Sequence, residues 1–147
     1  MTLKANRIIN GTHGSIWVNN EKWLDLESLE LKITLEYEDV YVSEELGKQR
    51  KFMGWNGEGS IVTKKVYSRG INLLAEAVKT GKMPDVTITS KLADPDSYGT
   101  ERVTVSKVTF NDFILSKIEQ RTLQNEELGF EFADFNILQA IQASLAA

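Results

Sequence analysis

The sequence predicts a mainly β fold: an antiparallel sandwich or barrel with one packed amphipathic helix at about residues 69–80 and one long flexible loop at about residues 43–55. Counting the helix, the class is α+β. Three observations support this prediction. Apolar and polar side chains alternate strictly in LELKITLEYE, shorter alternating segments recur toward the C-terminus, and a helical period is confined to one place. The 147 residues can bury a core as one domain, residues 1–147.

The first elements are a hairpin and a long strand. Residues 15–18 form a short strand, Asn19 and Asn20 tolerate the positive φ of a tight turn, and extended structure resumes at Lys22. We therefore expect a β-hairpin whose second arm is long. The phase of the alternation flips near Ser28, as a β-bulge would cause. One face of the arm is expected to be buried (Leu29, Leu31, Ile33, Leu35, Tyr37) and the other wet (Glu30, Lys32, Thr34, Glu36, Glu38).

The start of this hairpin, GTHGSIWVNNEKW, concentrates the only histidine and two of the three tryptophans. Alternation places Ile16 on the same face as Val18. We expect at least one of Trp17 and Trp23 to anchor packing, inside the subunit or against a neighbour. His13 has neither a nucleophile nor an orienting carboxylate beside it in sequence, so a structural role is favoured over catalysis.

A long connection is predicted next. Residues 43–59 hold four glycines, mixed charges and few apolar side chains, which is typical of a loop, and strand character returns near Gly57. The motif GWNGEG lacks the Gly-Lys-Ser/Thr ending of a phosphate-binding loop. Glycines that enter a strand more often mark a bulge or a close approach of the backbone.

The helix is marked at both ends. Ser68 is suited to the N-cap, four apolar residues follow the i, i+3, i+4, i+7 pattern, and Gly81 suits the position after the last turn. The stripe consists of Ile71, Leu74, Ala75 and Val78. A helix with so narrow an apolar stripe is expected to lie against a sheet.

The remaining segments are predicted to be mostly extended. Strands are expected at about residues 86–92, 102–110 and 128–132, with Val103 and Val105 in one phase and Val108 and Phe110 in the other. Residues 113–123 are expected to be extended. The final NILQAIQASLAA is compatible with a short helix.

Composition narrows the function classes. Without cysteine the chain cannot form disulfides, thiolate zinc sites or a cysteine nucleophile. A net charge of −4 argues against tight binding of nucleic acid, but a surface past which DNA slides remains compatible. The N-terminus lacks a secretory signal and no stretch is long and apolar enough for a membrane anchor, so synthesis in the cytoplasm is expected.

No constellation predicts catalytic, cofactor-binding or metal-binding residues. Glu36 and Glu38 lie on the wet face of a strand, where a row of carboxylates usually belongs to a solvated surface. The carboxylates between residues 94 and 101 lack the ordered spacing of an EF-hand. We therefore predict that the protein is not an enzyme and needs no cofactor.

Charge patterning instead suggests association. Five acidic residues between Glu36 and Glu45 precede the basic run KQRK at residues 48–51. If the acidic and basic groups lie on different edges, they can meet between subunits in a head-to-tail contact, and such contacts close into rings or run into filaments. Aligned amphipathic strands around an axis would then form a barrel with a hydrated lumen.

The combination of these segments resembles the tail tube (core tail) proteins of contractile-tailed bacteriophages, of PBSX-like defective prophages and of R-type bacteriocins. The resemblance is carried by GTHGSIWVNNEKW, LESLELKITLEYEDV, GKQRKFMGWNGEGSIVTKKVYSRG and ELGFEFADFNIL, in this order along nearly the whole chain.

The resemblance implies a structural subunit that assembles as stacked, hexameric rings around a hollow lumen. It implies that strands at about residues 29–42 and 56–68 line the bore, with Glu30, Lys32, Thr34, Glu36 and Glu38 facing the lumen. The loop would contact other subunits or the adjacent ring through nine residues: Glu44, Glu45, Leu46, Lys48, Arg50, Lys51, Phe52, Met53 and Trp55. Implied partners are further copies, a tail sheath protein, and baseplate and tail terminator proteins, with DNA passing without specific binding. Implied locations are the bacterial cytoplasm, then the phage tail or bacteriocin particle.

Two other function classes stay open at this point. A small β-barrel that binds an apolar ligand would be a monomer with an ordered interior pocket. A hydrolase built on scattered carboxylates would need two of them to converge across a cleft.

Overall fold

A computed structural model describes residues 3–142 and shows two antiparallel sheets, one helix and two short 3-10 turns at Ala5–Arg7 and Gly11–His13. The first sheet has the strand order β2-β1-β5-β6-β9 and the second the order β3-β4-β8-β7. In chain order the elements are β1 (Gly14–Val18), β2 (Glu21–Lys22), β3 (Leu26–Tyr41), β4 (Lys48–Lys64), α1 (Arg69–Thr80), β5 (Ile88–Leu92), β6 (Glu101–Ser106), β7 (Thr109–Phe110), β8 (Asn125–Phe132) and β9 (Asp134–Gln139).

The two sheets face each other as a sandwich, which confirms the mainly β class. They do not close into a barrel in residues 3–142. The core lies between the sheets and combines the inward side chains of both, as alternation along each strand requires. Its buried members are Ile16, Val18, Trp23, Ile61, Val86, Ile88, Val105, Val108, Leu128, Phe130 and Phe132.

The first hairpin is confirmed, but its second arm is not long. Asn19 and Asn20 adopt φ of 51° and 69°, as a tight turn between β1 and β2 demands. After Lys22 the chain leaves the first sheet, buries Trp23, and enters the second sheet at Leu26. Trp23 is therefore the tryptophan that anchors packing, while Trp17 is half-buried.

The long strand and its partner form a hairpin that is more regular than predicted. The pairing of β3 with β4 has a register shift between Leu26 and Ser28, which confirms the bulge. The predicted loop at residues 43–55 is wrong in extent, because β4 begins at Lys48 and only residues 42–47 connect the strands. The second long strand spans residues 48–64 rather than 56–68.

The helix matches its predicted bounds, but the predicted apolar stripe is only partly buried. The buried residues are Gly70, Leu74 and Ala77, whereas Val78 is exposed. The helix begins at Arg69 and ends at Thr80, and Gly81 has φ of 78° in the left-handed region. Ser68 precedes the helix but its side chain makes no capping hydrogen bond. Instead, the buried carboxylate of Glu126 accepts the backbone amide of Gly70 at 2.7 Å.

Three later predictions need correction. Residues 113–123 are not a strand but an irregular segment beside α1. The predicted strand at residues 102–110 is split at Lys107, which has φ of 53°, so that β6 and β7 lie in different sheets and the two valine phases face the same core. Residues 134–139 form β9 rather than a helix, and residues 143–147 lie outside the described part of the chain.

Candidate functional site

The β3–β4 hairpin extends well beyond the sandwich. Strand β8 pairs with β4 only from Gly57 to Lys64, so the half of the hairpin beyond Ile33 and Gly57 has no third strand in residues 3–142. With about 3.3 Å per residue, the eight residues from Thr34 to Tyr41 reach about 26 Å from that boundary. A two-stranded hairpin in water is marginally stable on its own, so this projection is suited to covering by another chain.

One face of the hairpin and of β8 is predominantly polar, with Val40 and Val62 as its apolar members on the hairpin. Residues directly opposite each other across a β-ladder share a face, and the pairs Glu30–Ser60, Lys32–Glu58 and Thr34–Asn56 fix that face. The five residues predicted to be lumen-facing, Glu30, Lys32, Thr34, Glu36 and Glu38, all lie on it and are exposed.

The polar face carries more acid than base. Its six carboxylates belong to Glu30, Glu36, Glu38, Glu58, Glu127 and Glu131, and its three ammonium groups to Lys32, Lys51 and Lys64. Six negative charges against three positive ones leave three negative charges per copy. A concave surface lined by repeated copies of this face would therefore repel phosphate.

The opposite face of the projection is apolar and uncovered near the sandwich, and toward the turn it also carries Asp39, Arg50 and Lys48. Leu35 lies opposite Trp55, and Tyr37 lies opposite Phe52 with their ring centroids 6.0 Å apart. The Leu35 side chain is 51% exposed and that of Phe52 is 53% exposed. The prediction of a buried apolar face thus holds for the part of β3 against the core, where Leu29 and Leu31 pack, and fails from Ile33 onward within a single copy.

Only three of the nine residues predicted for an inter-subunit loop lie in the turn: Glu44, Glu45 and Leu46. The others, Lys48, Arg50, Lys51, Phe52, Met53 and Trp55, belong to β4. The glycines and mixed charges of this segment are typical of a loop, and the sequence therefore did not predict a strand here. Cross-strand contacts hold it in place, such as the guanidinium of Arg50, 3.9 Å from the ring centre of Tyr37, and the ion pair of Lys48 with Asp39 at 3.6 Å.

An apolar cleft of about 550 Å³ opens between the sheets beside β3. Leu29, Leu31 and Ile33 line it from one sheet, and side chains of β5, β6 and β9 line it from the other. Among residues 3–142, strand β3 has no hydrogen-bonded neighbour on this side. A 16-residue free edge beside an open apolar cleft is a template for pairing with another chain.

His13 and Asp94, both considered for chemistry, lie in a turn and a connecting loop. His13 ends a 3-10 turn at the surface. Asp94 accepts the backbone amides of Asn10 at 2.8 Å and Asp96 at 2.9 Å, and these two hydrogen bonds lower the pKa of its carboxyl below the ordinary value. Within residues 3–142 no three acidic or histidine side chains gather as a metal site. No helix in the same residues is long and apolar enough to cross a membrane.

Two buried carboxylates were missed by the sequence reasoning. Glu126 is 2% exposed and pairs with Lys65 at 3.1 Å, while Asp25 binds the guanidinium of Arg69 through both carboxylate oxygens at 3.1 and 3.3 Å. Both fix the start of α1 against the second sheet. A possible signal was the position of Glu126 in the apolar phase of β8, two residues before Leu128.

The chain is similar to known proteins along almost its whole length. A family described as phage tail tube protein matches residues 1–139. The chain is 30% identical over 139 residues to the phage-like element PBSX protein XkdM of Bacillus subtilis (strain 168), across 93% of this chain and 95% of that protein.

Solved structures share the fold at low sequence identity. The chain aligns with a protein of the PVC sheath-tube complex of an extracellular contractile injection system in the extended state, with a TM-score of 0.70 and 9% identity over 95% of this chain and 100% of that one. It also aligns with the tube-terminating cap of the anti-feeding prophage, with a TM-score of 0.72 and 8% identity over 95% of each chain.

Proposed function

This chain belongs to the phage tail tube protein family and is a structural tail subunit, and we propose that it builds the inner tube of a phage-type contractile tail or tailocin as stacked hexameric rings. The observation that carries the proposal is the long hairpin with a predominantly polar face on one side and uncovered apolar side chains on the other. A single copy leaves these apolar side chains in water, whereas a ring of copies covers them and turns the polar face toward a lumen.

The lateral contact of the ring uses the edges of the second sheet. In the described part of the chain, strand β3 is free along one edge, and β7, at the other edge, is two residues long. Pairing of the β3 edge of one copy with the β7 side of the next is a heterologous contact. The copies form a closed ring when the rotation between successive copies is a whole fraction of a full turn. The same approach brings the neighbour over the apolar cleft beside β3 and removes the exposed strand edges.

The lumen is lined by Glu30, Lys32, Thr34, Glu36 and Glu38 together with the polar residues of β4 and β8. The surplus of three negative charges on this face of each copy disfavours adhesion of DNA to the wall of the lumen. It suits a lumen through which DNA passes and equally a water-filled lumen without DNA. Specific nucleic-acid binding is not part of the function.

The projecting end of the hairpin, residues 34–56, makes the contacts between subunits and between rings. It includes Glu44, Glu45, Leu46, Lys48, Arg50, Lys51, Phe52, Met53 and Trp55, now as a strand and its turn rather than as a loop. The six-fold symmetry of two aligned reconstructions, the anti-feeding prophage baseplate and the tail of an empty gene transfer agent particle, supports rings of six copies.

The other partners are those of a tail. We place a sheath around the tube, a terminator at one end and a baseplate at the other, in line with the sheath-tube and cap assemblies of the aligned proteins. Assembly in the bacterial cytoplasm and a final place in a phage tail or bacteriocin particle follow from this role, which involves no catalysis.

The cleft of about 550 Å³ is the one observation that favours the alternative, a small protein that binds an apolar ligand. Negative-stain microscopy and sedimentation velocity of the purified chain separate the two functions. Rings or tubes are expected at high protein concentration. A particle that stays monomeric under all assembly conditions would contradict the tube and leave the ligand-binding function.

A further inference from the structure

We propose that the turn of the long hairpin docks head to tail on the opposite end of the same sheet in a copy of the next ring. The turn, called the tip, is VSEELG at residues 42–47. The receiving surface, called the platform, consists of Leu24, residues 64–67 (KKVY) and Leu123. The inference rests on the proposed tube of stacked rings and names the surface that receives the hairpin.

The platform is made where three connections meet. The backbone amide of Lys64 donates to the carbonyl of Asp25 at 2.8 Å, and the amide of Lys65 donates to the carbonyl of Gln124 at 2.8 Å. These bonds join the segments before β3, after β4 and before β8 at one end of the second sheet. The platform is thus a composite of distant parts of the sequence.

Buried ion pairs hold the platform in one conformation. Lys65 reaches the buried carboxylate of Glu126, and Asp25 holds the guanidinium of Arg69. That guanidinium lies 4.7 Å from the ring centres of both Trp23 and Tyr67. Breaking such buried pairs is costly, so the surface is preorganised rather than formed on binding.

The platform exposes four apolar side chains to solvent within one copy. Leu24 is 84% exposed and Leu123 is 95% exposed, and Val66 and Tyr67 are also exposed. The tip exposes a matching set, with Leu46 fully exposed and Tyr41 and Val42 beside it. Exposed apolar groups gathered at both ends of one sheet are typical of an interaction surface.

The charges of the two surfaces are complementary. The tip contains Glu44 and Glu45 and no basic residue. On the platform Lys65 is already paired with Glu126, whereas Lys64 forms no ion pair within residues 3–142 and can meet the acidic tip. Electrostatic complementarity of this kind selects the partner and its orientation more than it adds affinity. It disfavours contact of two tips or of two platforms.

The geometry gives a contact that propagates along an axis. The tip precedes β4 and the platform follows it, so the two surfaces are separated by a strand of 17 residues, about 55 Å at 3.3 Å per residue. Two different surfaces at opposite ends of one element form a heterologous contact, which extends without limit when it does not close on itself. Repeated along the strand direction, this contact stacks rings.

Disulfide trapping tests the contact cleanly because the chain contains no cysteine. The test variant combines Leu46→Cys with Val66→Cys, and the matched control combines Leu46→Cys with Val78→Cys. Val78 is similarly exposed but lies about 14 Å along α1 from Arg69, at 1.5 Å per residue. Assemblies are oxidised and analysed on non-reducing gels, with microscopy of the same samples.

The test variant is expected to lose its monomer band and to give a ladder of multimers that continues beyond six copies, while the control stays monomeric. Mixed assemblies of the two single-cysteine variants, Leu46→Cys and Val66→Cys, should stop at dimers. Tubes that form without the ladder, a ladder that stops at one ring, or equal trapping in the control would overturn the contact. Absence of rings and tubes in every sample, including the unmodified chain, would instead contradict the proposed function.

Discussion

Substitution of Leu35 is expected to weaken assembly far more than it weakens folding of the single copy. The Leu35 side chain is 51% exposed in one copy and lies opposite Trp55 on the apolar face of the projecting hairpin. Complete burial of a leucine contributes about 1.5–3 kcal/mol, so covering the exposed half on assembly contributes about 1 kcal/mol per copy. Leu35→Thr removes most of that contribution and introduces a β-branched residue suited to a strand.

Within one copy the same substitution loses only part of a cross-strand pair. Such pairs are worth about 0.2–1 kcal/mol, and for a chain of this size the melting temperature should fall by only about 1–3 °C. In the assembly, a loss of about 1 kcal/mol weakens each contact about fivefold, and the losses multiply over the copies of a ring. The protein concentration needed for assembly should therefore rise at least about fivefold.

Sedimentation velocity over a dilution series measures assembly, and circular dichroism of the dissociated subunit measures stability. Thr34→Ser, at the neighbouring position on the polar face, is the matched control and should assemble as the unmodified chain does. Assembly of Leu35→Thr at the concentration of the unmodified chain would refute the covering of this face. So would an equal loss in Thr34→Ser.

Three further predictions concern stability and are checked by chemical denaturation. Gly59→Ala should lower the free energy of unfolding by about 1–3 kcal/mol, because its Cβ would lie 2.5 Å from the Phe130 ring, whereas Gly47→Ala, with open space around it, should change little; equal effects would count against this packing. Glu126→Ala should cost about 3–5 kcal/mol, since it leaves a buried amide at the start of α1 and a lysine unpaired; a loss below about 1 kcal/mol would show that water replaces the carboxylate. The lowered pKa of Asp94 means that its contribution is present above the ordinary pKa of 3.8 and is lost as the pH falls through the folded-state pKa, so Asp94→Asn should be less stable at neutral pH and the difference should vanish in acid; a difference independent of pH would refute it.

Local signals were sufficient for the helix and the first hairpin. The i, i+3, i+4, i+7 stripe and Gly81 located α1 because a helix is set by neighbours in sequence. Asn19 and Asn20 located the turn because positive φ is a property of single residues. The polar face of β3 followed from alternation alone, so all five residues expected there share one exposed face.

The predicted loop and the predicted long second arm of the first hairpin were wrong because contacts between distant segments determine the structure there. Positions 57 and 59 of β4 are glycine because the rings of Phe132 and Phe130 occupy the space that a Cβ would need. These aromatic residues lie more than 70 positions away, so a local reading of the glycines as a loop boundary could not find the reason. Alternation likewise does not say which sheet a strand joins, so the crossing from β2 to β3 was also missed.

A cryo-electron microscopy reconstruction of the assembled protein tests the central claim most directly, because it shows which face of the long hairpin lines the bore. The tube account predicts that Glu30, Lys32, Thr34, Glu36 and Glu38 point into the lumen and that Leu35 and Phe52 are buried between copies. A tube in which the polar face points outward, or an assembly without a continuous lumen, would contradict it.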